Sequence, residues 1–278
     1  MAEIKKPRAL FDIHGRTAVV TGGSGVLGRT MARGLAAAGA RVAVLGRRFE
    51  ACEAVAQEIR AEGGEAVGVA CDVLNRDSIE RAEQIVTESL NPVDILVNAA
   101  GGNAPAATTS AERSFFDLSE RAIEDVVRLN LNGSIACSQV FGKVMAAHGS
   151  GSIVNIASMN AIRPLSRIPA YSASKAAVVN FTQWLAVHMA QEYDPRIRVN
   201  ALAPGFFLTE QNRFLLTDQT TGEWTARGAA IVTHTPAGRL GSPEDLIAAL
   251  LWLVGPGASF VTGAVIPVDG GFSAYSGV

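Results

Sequence analysis

Seven short runs dense in Val, Ile and Ala recur along the 278 residues, at 17–21, 41–45, 66–70, 95–98, 152–157, 198–202 and 264–268. They are apolar almost without interruption, as strands buried on both faces of a parallel sheet must be. Between them lie amphipathic stretches at 25–38, 50–62, 76–90, 119–147, 171–193 and 243–254. Parallel neighbours require a crossover, and right-handed crossovers put helices on both faces. The chain is therefore expected to form an α/β doubly wound parallel sheet of seven strands, Rossmann-type, as a single domain over 1–278. Ser242-Pro243-Glu244-Asp245 suits a helix start, with serine as cap and proline at the first position. Residues 206–238 break the alternation and are expected to be a lid carrying one or two short helices.

The composition removes several function classes. A formal net charge of −2 gives no electrostatic footprint for nucleic acid or an anionic membrane. The longest apolar stretch, 246–254, is too short to span a bilayer, and the first fifteen residues lack a signal-peptide pattern. Cys52, Cys71 and Cys137 show no C-x-x-C pairing and suit buried free thiols in a reducing compartment, so a cytoplasmic location is expected. His14, His148, His188 and His234 have no metal-ligand spacing.

Ligands of open α/β sheets bind outside the carboxyl ends of the strands. Small or polar residues stand at six of those ends: Thr21-Gly22-Gly23, Gly46-Arg47-Arg48, Cys71-Asp72-Val73, Asn98-Ala99-Ala100-Gly101, Ser158 and Ala203-Pro204-Gly205. One such end is ordinary turn chemistry, whereas six together indicate a ligand groove. The first is followed by Ser24-Gly25-Val26-Leu27-Gly28, completing TGGSGVLG. Glycines there let backbone N–H groups approach a pyrophosphate at a helix N-terminus. Counted as Gly23, Gly25, Gly28 the loop is G-x-G-x-x-G; counted from Thr21 and Gly22 it fits T-G-x-x-x-G-x-G, with Val26 in a glycine position. At the second strand end no acid appears before Glu50. Gly46 leaves room there, and Arg47 and Arg48 suit a 2′-phosphate, so NADP(H) is expected over NAD(H). Asp72 either accepts from an adenine amino group or caps the following helix.

YSASK at 171–175 puts Tyr171 and Lys175 one turn apart on a helix face. A tyrosine near its ordinary pKa of about 10 is a poor acid or base at neutral pH, and a nearby ammonium lowers that value. Ser158 ends a strand 13 residues earlier, where its hydroxyl can steady a carbonyl or developing alkoxide.

With TGGSGVLG, CDV (71–73), NAAG (98–101), LNLNG (129–133), IVNIAS (153–158), YSASK and RVNALAPG (198–205) in this order, the chain resembles the short-chain dehydrogenase/reductase family from about residue 15 onward. The resemblance selects the T-G-x-x-x-G-x-G reading. Gly25 is then expected to supply the close backbone approach, and Val26 to start the helix against the core. The resemblance implies a catalytic tetrad of Asn130, Ser158, Tyr171 and Lys175. In it tyrosine exchanges the proton, serine positions the substrate oxygen, lysine binds the nicotinamide ribose and lowers the tyrosine pKa, and asparagine holds a relay water. It implies that 98–101 line the adenosine side and Pro204-Gly205 the nicotinamide side. It also implies a homotetramer built from the helices at 119–147 and 171–193 and the C-terminal region.

Further runs are similar to the D-mannonate oxidoreductase (fructuronate reductase) branch: NAAGGNAP (98–105), SMNA (158–161), PAYSASKAA (169–177), NFTQWLAVH (180–188), APGFFLTEQN (203–212) and DGGFSAYSGV (269–278). This implies a sugar acid, D-fructuronate/D-mannonate, as substrate pair. An acid is common at the second strand end of that branch, and Arg47 departs from it. Asn103, Asn160 and Arg163, with Glu210, Gln211, Asn212 and Arg213 in the lid, suit a polyhydroxy carboxylate. Gluconate 5-dehydrogenase-like activity and 3-oxoacyl reduction would use the same tetrad. A non-catalytic nucleotide-binding protein is the remaining reading, and the presence of both Tyr171 and Lys175 argues against it.

Overall fold

In the computed structural model, residues 7–208, 213, 216–218 and 220–277 are described. The apolar runs become β1 (Thr17–Thr21), β2 (Arg41–Gly46), β3 (Glu65–Ala70), β4 (Ile95–Asn98), β5 (Gly151–Ile156), β6 (Ile197–Pro204) and β7 (Val265–Val268). All neighbours are parallel, in the order β3-β2-β1-β4-β5-β6-β7. The order reverses between β1 and β4, which opens a crevice at their carboxyl ends.

Side chains alternate faces along each strand, and the two faces feed separate cores. Ala18, Val20, Val42, Val44 and Val154 meet Met31 and Leu35 of α1 (Val26–Ala37), Ile59 of α2 (Phe49–Ala61), and Leu250 and Leu253 further along the chain. Val19, Ala43, Leu45, Leu96 and Ile153 meet Ile79 and Val86 of α3 (Arg76–Leu90) on the other side. There they also meet Phe141 and Met145 of a fifth helix and Leu185 and Met189 of a sixth. This double burial is why the strands are mostly apolar, and why the polar residues inside them, such as Asn155 and Asn200, are held by side-chain hydrogen bonds.

The helix expected over 119–147 is two helices, α4 (Glu120–Val127) and α5 (Gly133–His148), joined by a π-helical turn at Arg128–Asn132. Asn130 sits in that wide turn. Its Nδ2 donates to the carbonyls of Val126 and Gly102, at 2.8 and 2.7 Å, and its own carbonyl accepts from the Ser134 hydroxyl at 2.9 Å. These side-chain bonds satisfy groups that a π-turn takes out of the ordinary ladder. Helix α6 (Pro169–Glu192) starts two residues before the expected Tyr171, with Pro169 at its first position.

The expected helix at 243–254 opens as a 3₁₀ turn (Pro243–Leu246) and continues as α8 (Ile247–Val254). Ser242 caps it, with its N–H donating to the Asp245 carboxylate at 2.9 Å. Within 206–238 lie α7 (Ala226–His234), capped by Thr225, and a bridge between Thr217 and Trp224. The expected site residues Glu210, Gln211 and Asn212 lie outside the described residues. Among the described residues, no helix is long and apolar enough to cross a membrane.

Candidate active site

The loop after β1 is shaped by its own packing. Gly22 has φ 62° and Gly28 lies against it, so that a Cβ on Gly28 would sit 2.2 Å from the Gly22 carbonyl oxygen. A Cβ on Gly22 would meet Ala100 backbone atoms at 2.9 Å. These two glycines are demanded by the protein itself. Gly25 differs: it has φ −77°, and its Cβ would meet only the Gly22 oxygen, at 3.2 Å. It caps α1 without a side-chain bond, leaving the first N–H groups of that helix unpaired within it. Helix α1 does start at Val26, as expected, but Leu27 rather than Val26 packs against the core. A bare glycine beside unpaired N–H groups and a helix N-terminus fits a dinucleotide pyrophosphate.

Across the crevice, the Thr21 hydroxyl accepts from the N–H groups of both Ala99 and Ala100 at 3.1 Å. This tie holds 98–101 onto the β1 loop. Thr21, the first residue of the T-G-x-x-x-G-x-G motif, thus holds the loop by its hydroxyl, a role its place at a strand end does not reveal. Asn98, expected to line the adenosine side, is buried. Its Nδ2 donates to Asn155 Oδ1 (2.8 Å), Ser138 Oγ (3.0 Å) and the Ser134 carbonyl (3.4 Å). Its side chain therefore joins β4 to β5 and α5, and only the Ala99–Gly101 part of the segment is open to the groove.

The second strand end also differs in detail. A Cβ on Gly46 would meet Cys52 Sγ at 2.9 Å and Ser24 Oγ at 3.3 Å. Gly46 is bare to admit these two atoms, not to leave room for a ligand. Burial pushes the Cys52 thiol up, and the neighbouring Ser24 hydroxyl opposes the shift. Arg47 and Arg48 are exposed and make no ion pair among the described residues. Asp72 is not the cap of α3; Asn75 is, accepting from Ser78 N–H. Asp72 Oδ1 accepts from Leu74 N–H, closing a short turn around the buried Val73.

The four candidate catalytic residues converge at the ends of β4 and β5. Tyr171 lies beside Ser158, whose hydroxyl favours the tyrosinate form and whose Oγ accepts from Asn160 N–H at 3.2 Å. Lys175 is buried, with Nζ 5.6 Å from the Tyr171 ring centre and donating to the Ile156 carbonyl at 2.7 Å. Asn130 accepts from Gly102 N–H at 3.2 Å. A Cβ on Gly101 would stand 2.6 Å from Asn130 Oδ1 and 3.2 Å from Lys175 Nζ, so a glycine is required there.

The electrostatics correct one expectation. Burial pushes the Tyr171 phenol up, and the Ser158 hydroxyl opposes that only in part. Burial also pulls the Lys175 ammonium down to about 8. In this arrangement burial, the largest influence on Tyr171, sets the direction, while the Lys175 ammonium is engaged by the Ile156 carbonyl.

The remaining candidates divide. Asn160 is buried beside Ser158, and its Oδ1 has no partner among the described residues. Asn103 is exposed and donates to Thr108 Oγ1 at 2.8 Å. Arg163 is exposed and donates through Nε to the Ser273 carbonyl at 3.1 Å. Pro204 is the last residue of β6, and a Cβ on Gly205 would lie 2.6 Å from Asp269.

The sequence of residues 16–220 matches the family model described as short chain dehydrogenase. The chain belongs to the short-chain dehydrogenase family. This short-chain dehydrogenase is 50% identical over 276 residues to a Bacillus subtilis (strain 168) protein named uncharacterized oxidoreductase UxuB, covering 96% of this chain and 98% of that one. It superimposes with a TM-score of 0.91 on a Haemophilus influenza structure provisionally named a D-mannonate oxidoreductase, with NAD bound. That pair is 44% identical, over 98% of this chain and 100% of that chain. A Burkholderia cenocepacia gluconate 5-dehydrogenase in complex with NADP and tartrate superimposes with a TM-score of 0.85, at 31% identity, over 97% and 99% of the chains. Relatives of this short-chain dehydrogenase thus include sugar-acid dehydrogenases that bind NAD or NADP, and the chain is an oxidoreductase of the class that acts on CH–OH groups.

Proposed function

We propose that this protein interconverts a ketone and a secondary alcohol on a sugar acid, D-fructuronate and D-mannonate (the reaction of EC 1.1.1.57), as one dinucleotide-binding domain. The observation that carries the chemistry is the convergence of Asn130, Ser158 and Tyr171 on the buried Lys175, whose Nζ lies 5.6 Å from the Tyr171 ring centre. A nicotinamide dinucleotide bound along the β1–β4 crevice supplies or accepts the hydride. Residues 22 and 24–28, 72–73 and 99–101 would hold its adenosine and pyrophosphate, and 204–205 its nicotinamide end.

The protein's own part is the proton and the geometry. In the reducing direction, Tyr171 Oη gives its proton to the substrate oxygen as that oxygen gains charge. Ser158, steadied by Asn160 N–H, donates to the same oxygen and fixes its position. Lys175 would meet the ribose of a bound dinucleotide and, when charged, favours the tyrosinate left behind. Asn130 holds the Gly102 backbone on one side and the π-turn on the other, keeping the path behind Lys175 polar. In the oxidising direction the same tyrosine takes the proton back.

A sugar acid is supported by the buried, unpartnered Asn160 oxygen and the exposed Arg163, one suited to a hydroxyl and one to a carboxylate. It is also supported by the likeness to the Haemophilus structure named for D-mannonate. NADP(H) is proposed over NAD(H) on the two free guanidinium groups of Arg47 and Arg48; the NAD bound to the Haemophilus relative argues for the opposite choice. A homotetramer is supported by an apolar groove of about 310 Å³ between α5 and α6, lined by Phe181, Trp184, Leu185 and Tyr193 among others. Three free buried cysteines favour a cytoplasmic enzyme.

The test is a panel of fructuronate, 5-ketogluconate, a neutral ketose and an acetoacetyl thioester, each with NADPH and NADH. The highest kcat/KM is expected for fructuronate. Reduction of the thioester without turnover of any keto acid would overturn the substrate assignment.

A further inference from the structure

The segment after β7 touches three parts of the proposed site at once. Residues 269–275 fold back in a turn closed by Asp269. Its Oδ1 accepts from Gly271 N–H and its Oδ2 from Ser273 N–H, both at 2.9 Å. Gly270 and Gly271 have φ 63° and 88°, and Tyr275 N–H returns to the Gly271 carbonyl at 3.1 Å. The turn is therefore fixed by its own bonds.

Its first contact is with the end of β6, where Gly205 abuts Asp269 Cα and Cβ so closely that only a glycine fits. Its second is with α7 and the start of the long loop. The Phe272 ring lies 5.1 Å from Phe206 and 4.6 Å from His234, and His234 lies 5.1 Å from Tyr275. Ala237 N–H donates to the Gly270 carbonyl at 3.0 Å. Its third is Arg163, five residues past Ser158, whose Nε donates to the Ser273 carbonyl.

That third contact carries a consequence for recognition. A free arginine side chain has roughly 2 kcal/mol of rotamer entropy to lose on binding a ligand. Here Nε is already tied to a carbonyl on a turn fixed by Asp269 and Phe272. The two terminal nitrogens, which form the fork that matches a carboxylate, make no bond to the described residues. Arg163 makes no ion pair among them either.

We infer that the turn at 269–275 is a specificity-determining element. It orients Arg163 toward the substrate carboxylate and so sets the preference for keto acids over neutral ketoses. Asp269 and Phe272 are positioning residues; Arg163 is the group that meets the ligand. The inference rests on the sugar-acid reading and adds what enforces it.

The test compares KM for fructuronate and for a neutral ketose in the wild type, Asp269→Ala, Phe272→Ala, Arg163→Ala and Asp269→Ala/Arg163→Ala. Asp269→Ala keeps the Cβ that Gly205 abuts and removes both turn-closing bonds. It is expected to raise KM for the keto acid about ten-fold, the scale of one hydrogen bond to a charged group. KM for the neutral ketose and for the dinucleotide should stay within about two-fold. The double variant should be no worse than Arg163→Ala alone, because the turn acts through that arginine. Thermal midpoints identify a variant that merely fails to fold, and Phe272→Ala and Asp269→Ala probe the same turn by different bonds. A wild type that does not distinguish acid from neutral ketose overturns the sugar-acid reading and this inference with it. A wild type that does, with a preference that survives Asp269→Ala and Phe272→Ala or with additive losses, overturns this inference alone.

Discussion

Replacing Lys175 by methionine should cost the protein its activity and change the pH dependence of its stability. Lys175 is 5% exposed, and burial takes its ammonium from an ordinary 10.5 to about 8. A depressed pKa on a base means that the unfolded chain binds the proton more tightly than the folded one. Below about 8 the full cost is present; it fades as pH rises toward 10.5, where the lysine is neutral in both states. The gap from 10.5 to about 8 corresponds to roughly 3 kcal/mol. Between pH 7 and pH 10 the wild type should recover about 2–3 kcal/mol of it. Methionine has similar bulk and no proton to bind, but it leaves the Ile156 carbonyl without its donor, at about 1–3 kcal/mol. That loss does not depend on pH. The stability of Lys175→Met relative to wild type is therefore expected to fall by about 2–3 kcal/mol from pH 7 to pH 10. At pH 7 the variant should be about as stable as the wild type, or slightly more stable. Urea unfolding at fixed protein concentration, with midpoints and slopes at both pH values, measures this. A stability difference that stays flat across this range would refute the claim that burial lowers the lysine's pKa to about 8.

The glycines of the first loop should separate by cause. Gly28→Ala, whose Cβ would stand 2.2 Å from the Gly22 oxygen, should destabilise the protein by about 1–3 kcal/mol in thermal or urea unfolding. Gly25→Ala should leave unfolding nearly unchanged and weaken dinucleotide binding by calorimetry, while Val26→Ala should do neither. Arg47→Ala/Arg48→Ala should lower kcat/KM with NADPH about ten-fold or more and leave NADH little changed, on the scale of a charge-assisted bond to a 2′-phosphate. Equal losses with both cofactors would remove the arginines from cofactor choice.

The strands and the crevice were legible because burial on both faces leaves little choice of residue. Ala18, Val19 and Val20 must all be apolar, and polarity returns only at Thr21, where the sheet ends. Tyr171, Lys175 and Ser158 were legible because helix spacing and a strand end bring them together. What sequence could not reveal depends on contacts across long separations. Arg163 meets Ser273, 110 residues away, and Thr21 meets Ala99 and Ala100, 78 and 79 residues away. The π-turn at 128–132 was hidden because the apolar periodicity on either side continues through it. Gly46 and Asn98 sat where ligand contacts were expected, yet neighbouring side chains claim both. Electrostatics was hardest to foresee: Lys175 one turn from Tyr171 implied a lowered phenol, but burial acts on both groups and pushes them the other way.

The account stands or falls on Tyr171 as the residue that exchanges the proton. Tyr171→Phe keeps the ring and removes the hydroxyl beside Ser158. Single-turnover reduction of fructuronate, measured beside dinucleotide affinity, should show the hydride-transfer rate falling about 10²–10⁴-fold with the affinity unchanged. A variant that still reduces the keto acid at close to the wild-type rate would contradict it.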